Sequence, residues 1–281
     1  MKQRLLCILL LLPVLLTPAS ANSTPTRLGG TGGSALEVDE DCPVTISAEQ
    51  LTFTVGSEER FGQLPAQVSA VYQMENPTEE PLTVQMAFYL EEYPGQVDTE
   101  LDLDAVSVTA DGQALEFTCQ EVSAQTERAD RYALVYTVDF PAGDGREVAV
   151  SYRCHSFARR EGTTHWTHDF TYLLSPAQHW AQFGTLDITV HTPEEFPYIV
   201  ASSLPFEQSG EGLYTAHSDG LPQGALTFTL YPEPSIGLWD RIYGTVTSYS
   251  FTAALMLLGP VVLIAAAIAA VVLIRRRKGQ R

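Results

Sequence analysis

The sequence predicts a mainly β fold, an immunoglobulin-like β-sandwich joined to one transmembrane α-helix. Three observations predict it. Apolar residues recur at every second position through most of the chain, turn residues separate those runs, and one uncharged stretch, Phe251 to Ile274, stands near the C-terminus. Period two is the side-chain spacing of a half-buried strand. An uninterrupted apolar run of about 20 residues is what a helix needs to cross a hydrocarbon core of about 30 Å.

Taken in order, Met1 to Ala21 has the three parts of a secretory signal: Lys2 and Arg4, an apolar run from Leu5 to Leu16, and the small residues Ala19-Ser20-Ala21. Cleavage after Ala21 is expected, and Cys7 leaves with the peptide. Residues 22–41 follow as a leader rich in Ser, Thr, Pro and Gly, ending in the acidic cluster Glu37, Asp39, Glu40 and Asp41. That composition predicts a flexible segment. Its GGTGGS stretch has no following Lys-Ser or Lys-Thr, so the glycines do not make a phosphate loop.

Residues 42–235 are the expected ectodomain. Leu82, Val84, Met86, Phe88 and Leu90 alternate with Thr83, Gln85, Ala87 and Tyr89. Tyr132 to Phe140, Val148 to Tyr152, Leu186 to Val190 and Leu226 to Leu230 repeat the pattern. Turn signals separate the runs at Asn76-Pro77, Tyr93-Pro94-Gly95, Asp111-Gly112 and Pro141 to Gly145. Asp111-Gly112, between Val106/Val108 and Leu115/Phe117, is the signature of a tight two-residue hairpin. Short strands in this number fit one enlarged sandwich or two in tandem, with a subdivision near 121–130 in the second case.

Residues 236–250 form a juxtamembrane segment in which Ile236, Trp239, Ile242, Tyr243 and Val246 recur at helical spacing, as in a short helix lying on a membrane surface. The anchor then runs from Phe251 through Pro260 to Ile274, and Arg275, Arg276, Arg277 and Lys278 open a basic tail over 275–281. The basic side of such a helix stays cytoplasmic. The expected placement is therefore a single-pass cell-membrane protein with its N-terminal domain outside and its C-terminus in the cytoplasm. Ala265 with Ala269 gives small residues at four-residue spacing, through which a second transmembrane subunit could approach.

Charge and cysteine content narrow the function classes. Between the expected cleavage site and the tail, nine arginines and no lysine stand against all 34 acidic residues, a formal charge of −25. Such a surface repels nucleic acid. Cys42, Cys119 and Cys154 remain after cleavage. By strand phase Cys119 continues the inward series Leu115, Phe117, and Cys154 continues Val148, Val150, Tyr152, so a Cys119 to Cys154 disulfide is the leading pairing, against pairings with Cys42 or buried thiols.

VYQMENPTEEPLTVQMAF, the ADGQALEF hairpin and FTYLLSPAQHWAQFGTLDITV together resemble uncharacterised bacterial extracytoplasmic β-sandwich domains that precede a C-terminal membrane anchor. The resemblance implies fold and placement and carries no activity.

Candidate sites are few. Asp98, Glu100, Asp102 and Asp104 set carboxylates at every second position, an arrangement open to irregular calcium binding or to a solvated acidic edge that discourages aggregation. The Gly and Glu of a calcium hand are replaced by Leu103 and Thr109. No cofactor is expected beyond that ion. His165, His168 and Asp169 are the best acid-base or metal candidates, yet on a strand His165 and His168 face opposite ways and lack the i, i+4 spacing of zinc peptidases. Cys154-His155 fails as a nucleophile and base for the same reason. Trp166, Trp180 and Phe183 suit a glycan or peptide platform or, more simply, core packing. The expected function is a non-enzymatic binding or envelope-structural domain whose partner is an extracellular protein or glycan. An accessory subunit of a membrane transporter or sensor complex is the alternative, and an extracytoplasmic hydrolase the third reading.

Overall fold

The computed structural model describes residues 21–29, 35–57, 62–92, 102–122, 130–160, 162–247 and Met256. In chain order the strands are β1 Ala21–Gly29, β2 Ala35–Val38, β3 Thr45–Val55, β4 Pro65–Glu75, β5 Leu82–Glu92, β6 Ser107–Ala110, β7 Gln113–Ala114, β8 Phe117–Val122 and β9 Asp130–Phe140. There follow β10 Gly145–His155, β11 Phe157–Arg159, β12 Thr167–Leu173, β13 Phe183–His191, β14 Tyr198–Ser202, β15 Glu207–Gly210, β16 Leu213–Asp219 and β17 Ala225–Tyr231, and then the helix α1, Leu238–Thr247.

The strands form three sheets. The largest has eight strands in the order β15-β16-β13-β3-β4-β10-β6-β7, the second five in the order β2-β1-β5-β9-β8, and the third four in the order β11-β12-β17-β14. One apolar core takes residues from all three, among them Phe53, Phe88 and Phe228, each at most 1% exposed. Aromatic contacts cross the layers: Phe53 of β3 meets Phe228 of β17 edge-on at 5.1 Å, and Phe88 of β5 meets Tyr152 of β10 at 5.5 Å. The two smaller sheets thus pack on the same side of the large one, and they meet where β1 touches β12 and the 3-10 turn Ser175–His179.

The β class fits, but the immunoglobulin-like sandwich does not. The large sheet is a curled half-barrel, and it is mixed, because β3 and β13 run parallel. Immunoglobulin sheets are antiparallel and smaller. The physical reason lies in strand length: β3, β4 and β10 are each 11 residues long and paired almost end to end, so their twist accumulates into curl. Residues on both sides of the expected subdivision near 121–130 share the one core, while 123–129 lie outside the described residues. The leader expected to be flexible over 22–41 instead supplies β1 and β2, with Asn22, Ser23, Thr24 and Thr26 no more than 4% exposed.

The membrane-spanning helix is also corrected. Among the described residues no helix is long and apolar enough to cross a membrane. The ten-residue α1 extends about 15 Å, half of what a span requires. Phe251, Pro260, Ile274, Arg275, Arg276, Arg277 and Lys278 lie outside the described residues. The single-pass placement with a cytoplasmic C-terminus is accordingly not supported.

Local expectations fared better. The hairpin at Asp111-Gly112 has φ of +49° and +74° at its two central residues, the double left-handed turn that matches strand twist. Asp111 also ties it to β10, with Oδ1 accepting the Glu147 N–H at 3.0 Å and Oδ2 the Arg146 guanidinium at 2.5 Å. Hydrogen bonding to Glu147 and Arg146 outweighs slight burial and holds the Asp111 carboxyl below its usual range.

Candidate functional site

The most unusual chemistry lies in the seam between the three sheets, and a backbone irregularity creates it. The ladder between β3 and β4 slips one residue between Ile46 and Ala48, so Ser47 is an extra residue, a β-bulge. Before the slip Ile46 points inward; after it Glu49, Leu51, Phe53 and Val55 do. Without the bulge Glu49 would face solvent. The neighbouring strand makes room for it with Gly184, where a Cβ would stand 2.0 Å from the Ser47 carbonyl oxygen.

Glu49 is therefore fully buried, and a chain of hydroxyls leads away from it. The Tyr172 hydroxyl donates to Glu49 Oε1 at 2.7 Å, the Tyr172 and Tyr72 hydroxyls lie 2.8 Å apart, and the Tyr72 hydroxyl donates to Asn22 Oδ1 at 2.9 Å. Oδ1 also accepts the Ser23 N–H at 2.6 Å, which fixes the amide's orientation. The far side is closed by Tyr136, whose hydroxyl lies 3.4 Å from Ser23 Oγ, and by the Trp180 indole N–H, which donates to the Ser23 carbonyl at 3.3 Å. Glu49 Oε2 and Asn22 Nδ2 have no partner among the described residues.

Three short gaps separate Glu49, Tyr172, Tyr72 and Asn22, and the two phenols supply two protons, which Tyr172 gives to Glu49 and Tyr72 to Asn22. Burial pushes the Glu49 carboxyl up to about 7, against the lowering effect of its bonds from Tyr172 and Tyr72. Burial and the nearby Glu49 push both phenols well above their ordinary range.

A second polar centre is smaller. His168 is fully buried, its Nδ1 3.0 Å from Ser156 Oγ, with the Phe196 ring edge-on at 4.4 Å. Ser156 Oγ also accepts the Leu64 N–H, so the pair braces the Leu64 turn. Burial lowers the His168 imidazole to about 4. His165 does not join it, and it precedes β12 instead of lying on the strand: its ring meets Tyr231 edge-on at 5.9 Å, and Asp169 pairs with Arg159 at 2.7 Å.

The remaining sequence candidates separate. Asp102 and Asp104 are exposed around the 3-10 turn Leu103–Ala105, while Asp98 and Glu100 lie outside the described residues. Among the described residues no three His, Cys, Asp or Glu side chains gather to hold a metal. Cys119 is on β8 of the five-stranded sheet and Cys154 on β10 of the eight-stranded one, and no disulfide joins them. Trp180 is core, at 5% exposed, and Trp166 is 40% exposed.

The helix expected from the spacing of Trp239, Ile242, Tyr243 and Val246 is α1, and it is pinned along one side. Asp240 Oδ1 accepts the Thr164 N–H at 2.7 Å, Oδ2 accepts the Tyr231 hydroxyl, and Gly244 lies so close to Thr163 that a Cβ would stand 2.3 Å from its carbonyl carbon. Slight burial opposes ionisation of Asp240, but the Thr164 and Tyr231 donors prevail and hold its carboxyl low. The other side carries Leu238, Trp239, Ile242, Tyr243 and Val246, between 44% and 80% exposed.

The sequence matches no protein-family profile and no curated protein. Among solved structures it is similar to a "putative nutrient binding protein" of Legionella pneumophila, with a TM-score of 0.55 and 13% identity over 76% of this chain and 73% of that one. At that identity the likeness shows the fold alone. Weaker similarities are to yeast LTA4 hydrolase, with a TM-score of 0.39 and 12% identity, and to an M1 zinc metallopeptidase of Deinococcus radiodurans, with a TM-score of 0.30 and 12% identity. The chain covers 66% and 67% of its own length in those matches but spans only 29% and 42% of the two enzymes.

Glu49 escaped the sequence reading because a one-residue bulge reverses strand phase without leaving a compositional mark. Its only advance signal was a glycine, Gly184, standing at the head of a predicted strand.

Proposed function

We propose that this chain is a non-enzymatic binding protein whose β body presents α1 to a partner protein. The observation that carries the proposal is the fixed outward orientation of five large apolar side chains on a helix that Asp240 and Gly244 hold against Thr163, Thr164 and Tyr231. A contiguous apolar strip that a protein keeps in water marks an interaction site. Trp and Tyr at its centre are the side chains that dominate protein interfaces. The strongly acidic body disfavours anionic lipid as the occupant. The nutrient-binding description of the Legionella protein supports a binding role over a catalytic one. The accessory-subunit reading is the form of this proposal in which the partner belongs to a transporter or sensor complex.

The test places a photo-crosslinking residue at Trp239 or Tyr243 of the full chain in its native cells. One discrete protein adduct is expected, lost when Ile242→Ser is added and absent when the crosslinker sits at exposed Glu207. Lipid adducts alone would refute the partner assignment. Hydrolysis of a peptide or ester by the purified chain, abolished by His168→Ala, would refute the non-enzymatic reading.

A further inference from the structure

The first five residues of β1, Ala21 to Pro25, pair with β5, and its last four, Thr26 to Gly29, pair with β2. The edge of β5 opposite β9 is thus covered only by Ala21 to Pro25 among the described residues. This cover is polar: Asn22, Ser23 and Thr24 are at most 1% exposed, and Thr26 follows at 4%. Asn22 Nδ2 and Thr26 Oγ1 are buried without partners, as is Glu49 Oε2 across the seam. Each unmet group is a cost to the folded state. A strand held by polar contacts at that cost is the segment of a β structure that opens most readily.

The receiving surface is different in kind. Tyr72, Tyr136 and Trp180 stand on β4, β9 and just after the 3-10 turn, each aimed at Asn22 or Ser23 of the strand. All three are at most 5% exposed with β1 in place and belong to the common core. A strand edge flanked by hydrogen-bonding aromatics is the form of a site that binds an extended peptide by strand addition.

We propose that this seam is a strand-acceptor site, occupied in cis by residues 21–25, which takes an extended peptide of another protein onto β5. The acidic surface makes that peptide neutral or basic; acidic sequences are rejected. The glycine-rich link of residues 30–34 keeps β1 tethered at high local concentration, so the incoming peptide competes with an intramolecular strand. This site is separate from α1, and neither reading depends on the other.

Ser23→Glu sets a carboxylate in the seam and expels β1. In that variant of the full chain, a fluorescent peptide of sequence ANSTPTRLG should bind at least tenfold more tightly than in the wild type, and adding Tyr72→Phe should weaken it severalfold. The same peptide with Asp at its second and third positions should not bind. In the wild type, hydrogen exchange of residues 22–24 should run at least a hundredfold faster than that of residues 134–138, a readout that needs no variant. Equal exchange rates, a folded Ser23→Glu chain that ignores the peptide, or peptide-independent dimers that give the groove to a second copy would each overturn the proposal.

Discussion

Asn76 and Asn22 are both asparagines, 1% and 0% exposed, and they illustrate opposite uses of a buried amide. Asn76 is fully satisfied: Nδ2 donates to the carbonyls of Glu80 at 2.8 Å and Pro141 at 2.9 Å, while Oδ1 accepts the Thr78 N–H at 3.0 Å and its hydroxyl at 2.7 Å. It binds the turn between β4 and β5 to the end of β9. Asn22 uses only its oxygen, toward Ser23 and Tyr72, and its Nδ2 is unmet. A complete set of partners locks a turn, whereas an incomplete one leaves a strand that something better matched can replace.

The largest effect tests the device that creates the seam. Gly184→Ala drives a methyl group into the Ser47 carbonyl and must displace the bulge, at a cost of about 5 kcal/mol in denaturant unfolding. A loss under ~1 kcal/mol would mean the bulge does not aim Glu49. Asn76→Ala comes next, at about 3 kcal/mol, because it removes the buried side chain that ties the Glu80 and Pro141 carbonyls to the Thr78 N–H.

Glu49 gives a pH signature. Its carboxyl titrates near 7 in the folded chain against an ordinary 4.5, so between those values the unfolded chain has already released a proton that the folded chain retains. Stability is full below pH 4.5 and falls as pH rises through 7, by on the order of 3 kcal/mol from this group. Glu49→Gln should remove that fall, and chemical denaturation across pH 5 to 8 would show it. A parallel fall in the variant would assign the effect elsewhere. The smallest change is Asn22→Ala, expected at under ~1 kcal/mol because the lost acceptor is offset by removal of the unmet Nδ2. If it matched Asn76→Ala, the contrast between the two asparagines would collapse.

Much of this architecture was legible beforehand. The alternating runs at Leu82 to Leu90, Tyr132 to Phe140, Val148 to Tyr152, Leu186 to Val190 and Leu226 to Leu230 are β5, β9, β10, β13 and β17, with the apolar phase turned inward. Periodicity is local, and so is the turn chemistry of Asp111-Gly112. The polar stretch ANSTPTRLG carried no such signal. It is a strand because β5 offers an edge and Tyr72 and Trp180 offer donors, and those groups come from distant parts of the chain.

By itself, then, the sequence determined strand content, the hairpin, the helical stripe of α1 and the excess of negative charge, all properties that neighbouring residues set among themselves. Tertiary structure alone decided the parallel pairing of β3 with β13, the curl of the large sheet, the burial of Glu49 and the insertion of β1. Each of these depends on which strand lies beside which, and a one-residue slip at Ser47 was enough to reverse what faces the core.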